Sequence, residues 1–484
     1  MLKHFLKAAS PLARSGARIA VPHFPRSAMG TGPLTLKNIT GISCTQGLKT
    51  KLQSPRFFSS SSLLNQVATT VKKQPAKRLI NSSKQVGYWL IGTSGLVFGI
   101  VVLGGLTRLT ESGLSITEWR PVAGTLPPMN EQEWLEEFAK YRESPEFQQL
   151  NSHINLEEFK FIYFMEWVHR LWGRAIGAVF VLPAVYFAVA RKTSPRVNGR
   201  LFALASLLGL QGFIGWWMVK SGLDKEELKE RRSKPTVSQY RLTTHLTTAF
   251  MLYLGMLWTG MEILKEAKWV KDPKKALVEM AKLDNPALNP LRKTSLGLLA
   301  LIFATAMSGG MVAGLDAGLI YNTFPHMGDD WIPSKRELFD KTFARKEDSS
   351  DLFWRNMLEN PATVQLNHRI LATASFLGVF AMHMWVNRRK HILPANAVKS
   401  MHAMMGVVTL QVTLGMFTLI YLVPISLGSL HQAGAMALLT NALIFAAQLR
   451  KARVPMRFLI GGLSVKAPPK AASTILTEAA KAAK

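Results

Sequence analysis

The chain has 484 residues, 48% of them hydrophobic and 18% charged, with 59 Lys and Arg against 30 Asp and Glu and a formal net charge of +29. So apolar a chain with so little charge is not an ordinary soluble enzyme; the composition points to repeated membrane crossing. The positive excess would suit a nucleic-acid binder, but it sits in an N-terminal stretch and in short clusters between apolar segments, which excludes that reading.

Residues 1–110 contain no Asp or Glu, and residues 1–84 carry 14 Lys or Arg among many Ser and Thr. Basic, hydroxyl-rich and acid-free, this stretch reads as a mitochondrial transit peptide. Arg56-Phe57-Phe58-Ser59-Ser60 resembles a matrix-processing site, so the mature chain is expected to start near residue 59. The single cysteine, Cys44, lies in the leader. A mature chain without cysteine has no disulfide, no iron–sulfur cluster and no thiolate chemistry.

Apolar windows of about 20 residues then predict eight membrane-spanning helices, over 86–109, 160–190, 199–219, 240–262, 294–314, 361–387, 398–421 and 425–449. The first carries Gly104-Gly105-Leu106 and is followed by Ser112-Gly113-Leu114. The second carries Glu166 and His169, the third Gln211 and Gly215, the fourth His245. The series then starts again: Gly309-Gly310-Met311 with Ala317-Gly318-Leu319, Gln365 and His368, Gln411 and Gly415, His431. His368 follows His169 by 199 residues and Gln411 follows Gln211 by 200. The charged loop 220–238 lengthens the first repeat; its counterpart is a short turn at Leu422–Pro424. With four spans per repeat, both halves share one orientation and relate by an axis along the membrane normal. The fold class is therefore an all-α membrane protein, eight transmembrane helices as two pseudo-symmetric four-helix bundles. Five Lys/Arg clusters, at 72–78, 191–200, 271–275, 388–390 and 450–453, fall on one side. The positive-inside bias makes that side the matrix, with both termini in it.

His169, His245, His368 and His431 sit about 5–9 residues into the even-numbered spans, at matching depth. An ionisable residue inside a span is costly and tends to be functional. The structural reading of one such histidine is a packing residue, but four at repeat-related positions suggest two centres of two imidazoles, the arrangement in which helix bundles hold haem iron. His383, His391 and His402, at matrix ends, have no repeat partners and read as interfacial; His153 and His326 lie in loops, and His4 and His23 in the leader.

Glu166 precedes His169 by three residues and shares its helix face; the equivalent residue is Gln365. The asymmetry marks the first half for chemistry and Glu166 as its catalytic carboxylate, against a structural reading in which it binds a neighbour such as Arg170 or Arg174. Arg170 and Arg369, each next to a ligand candidate, are placed to meet haem propionates, as are Arg108 and Arg120.

These residues bring a family into view. Gly104-Gly-Leu-Thr-Arg-Leu-Thr-Glu-Ser-Gly-Leu-Ser-Ile116, Glu118-Trp-Arg-Pro121, Leu126-Pro-Pro128, Glu166-Trp-Val-His-Arg-Leu-Trp-Gly-Arg174, Tyr321-Asn-Thr-Phe-Pro325 and Leu366-Asn-His-Arg369 resemble the motifs of the mitochondrial haem A synthase family. The resemblance covers about residues 86–450. It implies a multi-pass enzyme of the mitochondrial inner membrane that oxidises a methyl group of haem O to the formyl group of haem A for cytochrome c oxidase assembly. It implies that His169 and His245, with Arg170, take the substrate, that His368 and His431, with Arg369, hold haem b, and that Glu166 is needed for turnover. The domains would then be the leader 1–58, a matrix segment 59–85, a substrate-haem bundle 86–262, a matrix linker 263–293, a haem b bundle 294–449 and a matrix tail 450–484. Partners implied are haem O, membrane lipid and a ferredoxin electron donor, with haem O synthase, oxidase assembly factors and self-association left open. Some bacterial members carry a cysteine pair in the first outer loop, which this chain lacks. A di-haem cytochrome b in quinone-linked electron transfer, or a haem carrier, would share the four histidines but leaves Glu166 and the outer-loop motifs unexplained.

Overall fold

A computed structural model describes residues 79–119 and 126–466. The leader, the segment 59–85 as far as residue 78, Arg120 with Pro121, and the tail beyond 466 lie outside the described residues. Among the described residues the fold is helical, with no strand beyond an isolated bridge between Met327 and Asp330.

Eight helices of 24 residues or more dominate: α1 Lys84–Leu109, α2 Leu156–Val189, α3 Pro195–Leu223, α4 Gln239–Lys271, α5 Asn289–Gly314, α6 Pro361–Arg388, α7 Ala395–Ile420 and α8 Ile425–Gln448. Seven are long and apolar enough to cross a membrane; α4 is not among them. Its polar residues explain why. Arg241, four threonines and His245 crowd one end, and Glu262, Lys265, Glu266 and Lys268 the other. Thr244, Thr247 and Thr248 return their hydroxyls to the carbonyls of Tyr240, Thr243 and Thr244 at 2.8, 2.7 and 2.9 Å. Back-bonding of this kind satisfies a hydroxyl away from water. α4 also packs on α1, α3, α5 and α8, so protein covers much of a helix that lipid alone would not suit.

The first four helices pack in cyclic order, α1 on α2, α2 on α3, α3 on α4 and α4 on α1, and α5 to α8 repeat that order. α1 and α4 join α8 and α5 across the middle. The α1–α4 crossing is close because glycine faces glycine: a Cβ on Gly260 would stand 2.9 Å from Gly87 O, and one on Gly87 3.2 Å from Gly260 O. Such small-residue crossings let helix backbones meet without side chains between them. Phe180, Phe250, Met256, Met401, Met404, Met436 and Leu439 fill a continuous core.

The histidine-bearing end carries short helices that the apolar windows do not reveal. Glu131–Arg142 starts at Asn130 and Pro145–Gln149 at Ser144, both with side-chain caps. α2 starts earlier than its apolar stretch, because Asn155 and Glu158 form a capping box. Tyr141, Phe159 and Tyr163 bury one another there with Trp134 and Phe138. Glu146 lies in this cluster, 4% exposed, its Oε2 accepting from the Tyr141 hydroxyl at 3.0 Å. Burial pushes its carboxyl from 4.5 up to about 8, with the charges of Glu166 and Glu111 adding to the rise and the Tyr141 hydrogen bond and Arg108 opposing it. Between about pH 4.5 and 8 the folded loop therefore keeps a proton that the unfolded chain has lost. The stability of the loop is expected to fall as pH rises through that window and to level off above it. Glu146→Gln should remove the slope, leaving proteolytic resistance of the loop at pH 8 equal to that at pH 5; a slope that persists in the variant assigns the effect elsewhere.

At the opposite end the expected linker and tail carry secondary structure of their own. Pro273–Asp284 and Val454–Lys466 are helices, joined through Ala276, Met280, Leu283, Met456 and Ile460. The spacing of Ala276, Met280 and Leu283 is that of one amphipathic face, too short for a membrane window to register. Nearby, Glu262 meets Arg196 at 3.0 Å, Arg200 at 2.9 Å, Arg453 at 3.4 Å and Arg450, while Glu266 meets Arg453.

Candidate functional site

The four histidines lie within the first four turns of α2, α4, α6 and α8. Each ring rests against a glycine of the preceding odd-numbered helix. A Cβ added to Gly104 would stand 3.1 Å from His169 Nε2; one on Gly215, Gly309 or Gly415 would stand 3.3, 3.2 or 2.8 Å from Cε1 of His245, His368 or His431. The repeat-related glycines are thus seats for imidazoles, and any side chain there would take the room the ring occupies. His169 and His245 belong to one ring of four packed helices, and His368 and His431 to the other. Among the described residues, no group of three or more His, Cys, Asp or Glu is arranged to hold a bare metal ion. Paired imidazoles against glycine fit an iron that a flat macrocycle already holds.

The polar contacts behind the rings differ between halves. Ser308 Oγ lies 2.7 Å from His368 Nδ1. Gln411 Nε2 lies 3.1 Å from His431 Nδ1 and donates to His431 O at 2.9 Å. Gln211, its repeat partner, donates to His245 O at 3.1 Å, but His245 Nδ1 is buried with no hydrogen-bond partner among the described residues. The glutamine pair is visible in the sequence as a repeat match; its contact with the histidines is not, and nothing in the sequence singles out Ser308.

Glu166 is 3% exposed and fully engaged. Its Oε2 accepts from Ser115 Oγ at 2.7 Å and Ile116 N at 2.8 Å, and its Oε1 from Arg170 Nε at 3.0 Å and Nη2 at 2.6 Å. Arg170 also donates to Glu118 O and Ile116 O, at 3.2 and 3.0 Å. The carboxylate and the guanidinium together staple the outer segment 115–118 to α2. Gln365, 2% exposed, does the same in the second half, donating to Ala317 O at 2.7 Å and Tyr321 O at 3.3 Å. Arg369 donates to the carbonyls of Tyr321, Thr323, Pro325 and His326 at 3.2, 2.9, 3.4 and 3.0 Å. Arg170 thus divides its donors between Glu166 and two loop carbonyls, while Arg369 gives its bonds to loop carbonyls, although its Nε stays buried without a partner among the described residues. Arg108 pairs with Asp316 at 2.6 Å.

A cavity of about 320 Å³ opens beside Arg170, walled by Trp119, Trp216 and Lys220. His383 and His402 touch each other, ring centroids 5.0 Å apart, and His326 packs edge-on against Trp331.

Residues 87–443 match the COX15-CtaA family, described as cytochrome oxidase assembly protein. Heme A synthase COX15 of Saccharomyces cerevisiae is 66% identical over 434 residues, 90% of this chain and 89% of that one. A heme A synthase–mitochondrial ferredoxin fusion protein of Schizosaccharomyces pombe is 44% identical over 461 residues, 87% of this chain and 75% of that protein. Heme A synthase COX15 of Homo sapiens is 43% identical over 374 residues, 77% and 84% of the two chains.

Proposed function

The chain belongs to the COX15-CtaA family and acts as a haem A synthase, and on that premise we propose a division of labour between its halves. His368 and His431 hold a resident haem b. His169 and His245 receive haem O, whose methyl group becomes the formyl group of haem A. Haem b, when bound, supplies an electron relay for an oxidation that removes four electrons from the substrate carbon. The observation that carries this reading is the duplicated seat, two imidazoles on two glycines in each half.

The protein's own residues bind and orient. Gly104 and Gly215 leave room for the rings that meet the substrate iron, and Gly309 and Gly415 do so for the cofactor. Glu166 is needed for turnover. Its carboxylate and Arg170 fix segment 115–118 to α2, which also carries His169, and would hold that loop in place while the substrate binds. Arg369 fixes the equivalent loop in the second half. The cavity beside Arg170 lies next to the loop that Glu166 and Arg170 hold in the first half.

The arrangement is eight spans in two pseudo-symmetric four-helix bundles, with α4 as the eighth span. The setting is the mitochondrial inner membrane, with both termini in the matrix and haem A passing on to cytochrome c oxidase assembly. The Schizosaccharomyces pombe relative that is fused to a ferredoxin supports an electron donor of that class, for which basic matrix loops provide attraction.

Pigment extraction with mass analysis tests the reading. Protein purified with and without a haem O supply should hold haem b at constant ratio, while haem O and haem A follow the supply. Two equivalents of haem b and no haem O or haem A under supply would overturn it.

A further inference from the structure

Resting on the assignment of the second half as the resident haem site, we infer that Ser308 fixes His368 as an iron ligand and is a reason why that half keeps its macrocycle while the first half releases its own. Ser308 sits on α5 one residue before Gly309, the seat of the His368 ring. Its hydroxyl donates to Thr305 O at 2.7 Å, and the same Oγ lies 2.7 Å from His368 Nδ1. A serine hydroxyl has one proton and two lone pairs. With the proton committed to the carbonyl, Oγ faces the ring as an acceptor, so Nδ1 carries the hydrogen. An acceptor at Nδ1 leaves the lone pair on Nε2, the tautomer that binds iron.

This contact does more than aim the ring. An imidazole whose Nδ1–H is given to a buried acceptor is a stronger donor at Nε2. It favours the ferric over the ferrous state and lowers the potential of the iron it binds.

The first half has no such device. Matching Gly104 with Gly309, Leu103 stands where Ser308 stands and Ile100 where Thr305 stands. At the other ligand, His245 Nδ1 is buried with no partner among the described residues, whereas His431 has Gln411 against its Nδ1. Each ligand of the resident site therefore has a polar group against its Nδ1. In the substrate site Leu103 takes the place of Ser308 and His245 Nδ1 lacks the contact its counterpart has, as fits a macrocycle that must leave once it is oxidised.

Ser308→Thr and Ser308→Val separate the hydroxyl from the volume, because the two differ only in that group; Ser308→Ala serves as a third variant that adds no bulk. The readouts on purified protein are the midpoint potential of the low-spin haem and its rate of loss to a haem-scavenging acceptor. Ser308→Thr should match the unsubstituted protein. Ser308→Val and Ser308→Ala should lose haem about 10–100-fold more readily and shift the potential upward, about 59 mV for each tenfold change in a one-electron equilibrium. Unchanged potential and retention in the Val and Ala variants, with low-spin haem lost from His368→Ala, would overturn the role of Ser308 alone. Full low-spin haem in His368→Ala would overturn the assignment of the second site on which it rests.

Discussion

Glu166→Gln is expected to abolish haem A formation while haem b stays in place. The carboxylate accepts four hydrogen bonds, two from Ser115 and Ile116 and two from Arg170. An amide of the same size offers one oxygen and one NH2 group. Whichever way it turns, the NH2 faces donors, either the guanidinium or the hydroxyl and amide of the loop. Each buried group left unmatched costs about 1–3 kcal/mol, and segment 115–118 loosens from α2. The second half tolerates Gln365 for the opposite reason: its loop presents the carbonyls of Ala317 and Tyr321, which need a donor. The check is the haem profile of mutant membranes at matched protein level, with proteolysis of the outer loop alongside. Accumulated haem O with haem b retained is the expected result. Near-normal haem A would remove the requirement for Glu166, and loss of haem b together with the protein would make the residue a support for the whole helix assembly.

His368→Ala and His431→Ala should each remove the low-spin haem absorption of the purified protein, whereas His245→Ala should leave most of it. The first two delete one ligand of the proposed resident site. The third empties a ring position on α4, against Gly215. Loss of haem A formation is expected in all three, so the spectrum, not the activity, distinguishes the sites. A low-spin signal kept in both second-half variants, or lost in His245→Ala alone, would reverse the assignment of the halves.

The sequence carries the positions of the long helices and the matching histidine and glycine positions of the two halves, because both depend on patterns that repeat. α6 is expected over 361–387 and runs Pro361–Arg388. α4 is found from its apolar middle even though hydropathy alone passes it over. What the sequence does not carry is the direction of hydrogen bonds. Glu166 and Gln365 read as a contrast between acid and amide, but the deeper contrast lies in the loops, one offering donors and the other acceptors. Arg170 and Arg369 read as groups for a ligand carboxylate; that they also bond loop carbonyls is something no side-chain pattern reveals. Ser308 escapes a search for repeats because the first half has leucine in its place. The helices at 131–142 and 273–284 escape because an amphipathic face of three turns is too short to register as a span.

The ion cluster on α4 bears on how the chain is assembled. Arg196 and Arg200, which meet Glu262, belong to the helix made just before it. Arg450 and Arg453 come only after the last long helix, and Arg453 is the cation that meets Glu266. A newly made α4 thus has half of its neutralising charge at hand, and a carboxylate left unpaired in such a place is costly. Until the end of the chain arrives, Glu266 lacks the arginine it meets in the finished fold, although all four histidines have already been made. A product cut short before residue 450 is therefore expected to carry every ligand candidate and still leave that carboxylate without Arg453, and to be cut by proteases more readily than the full chain.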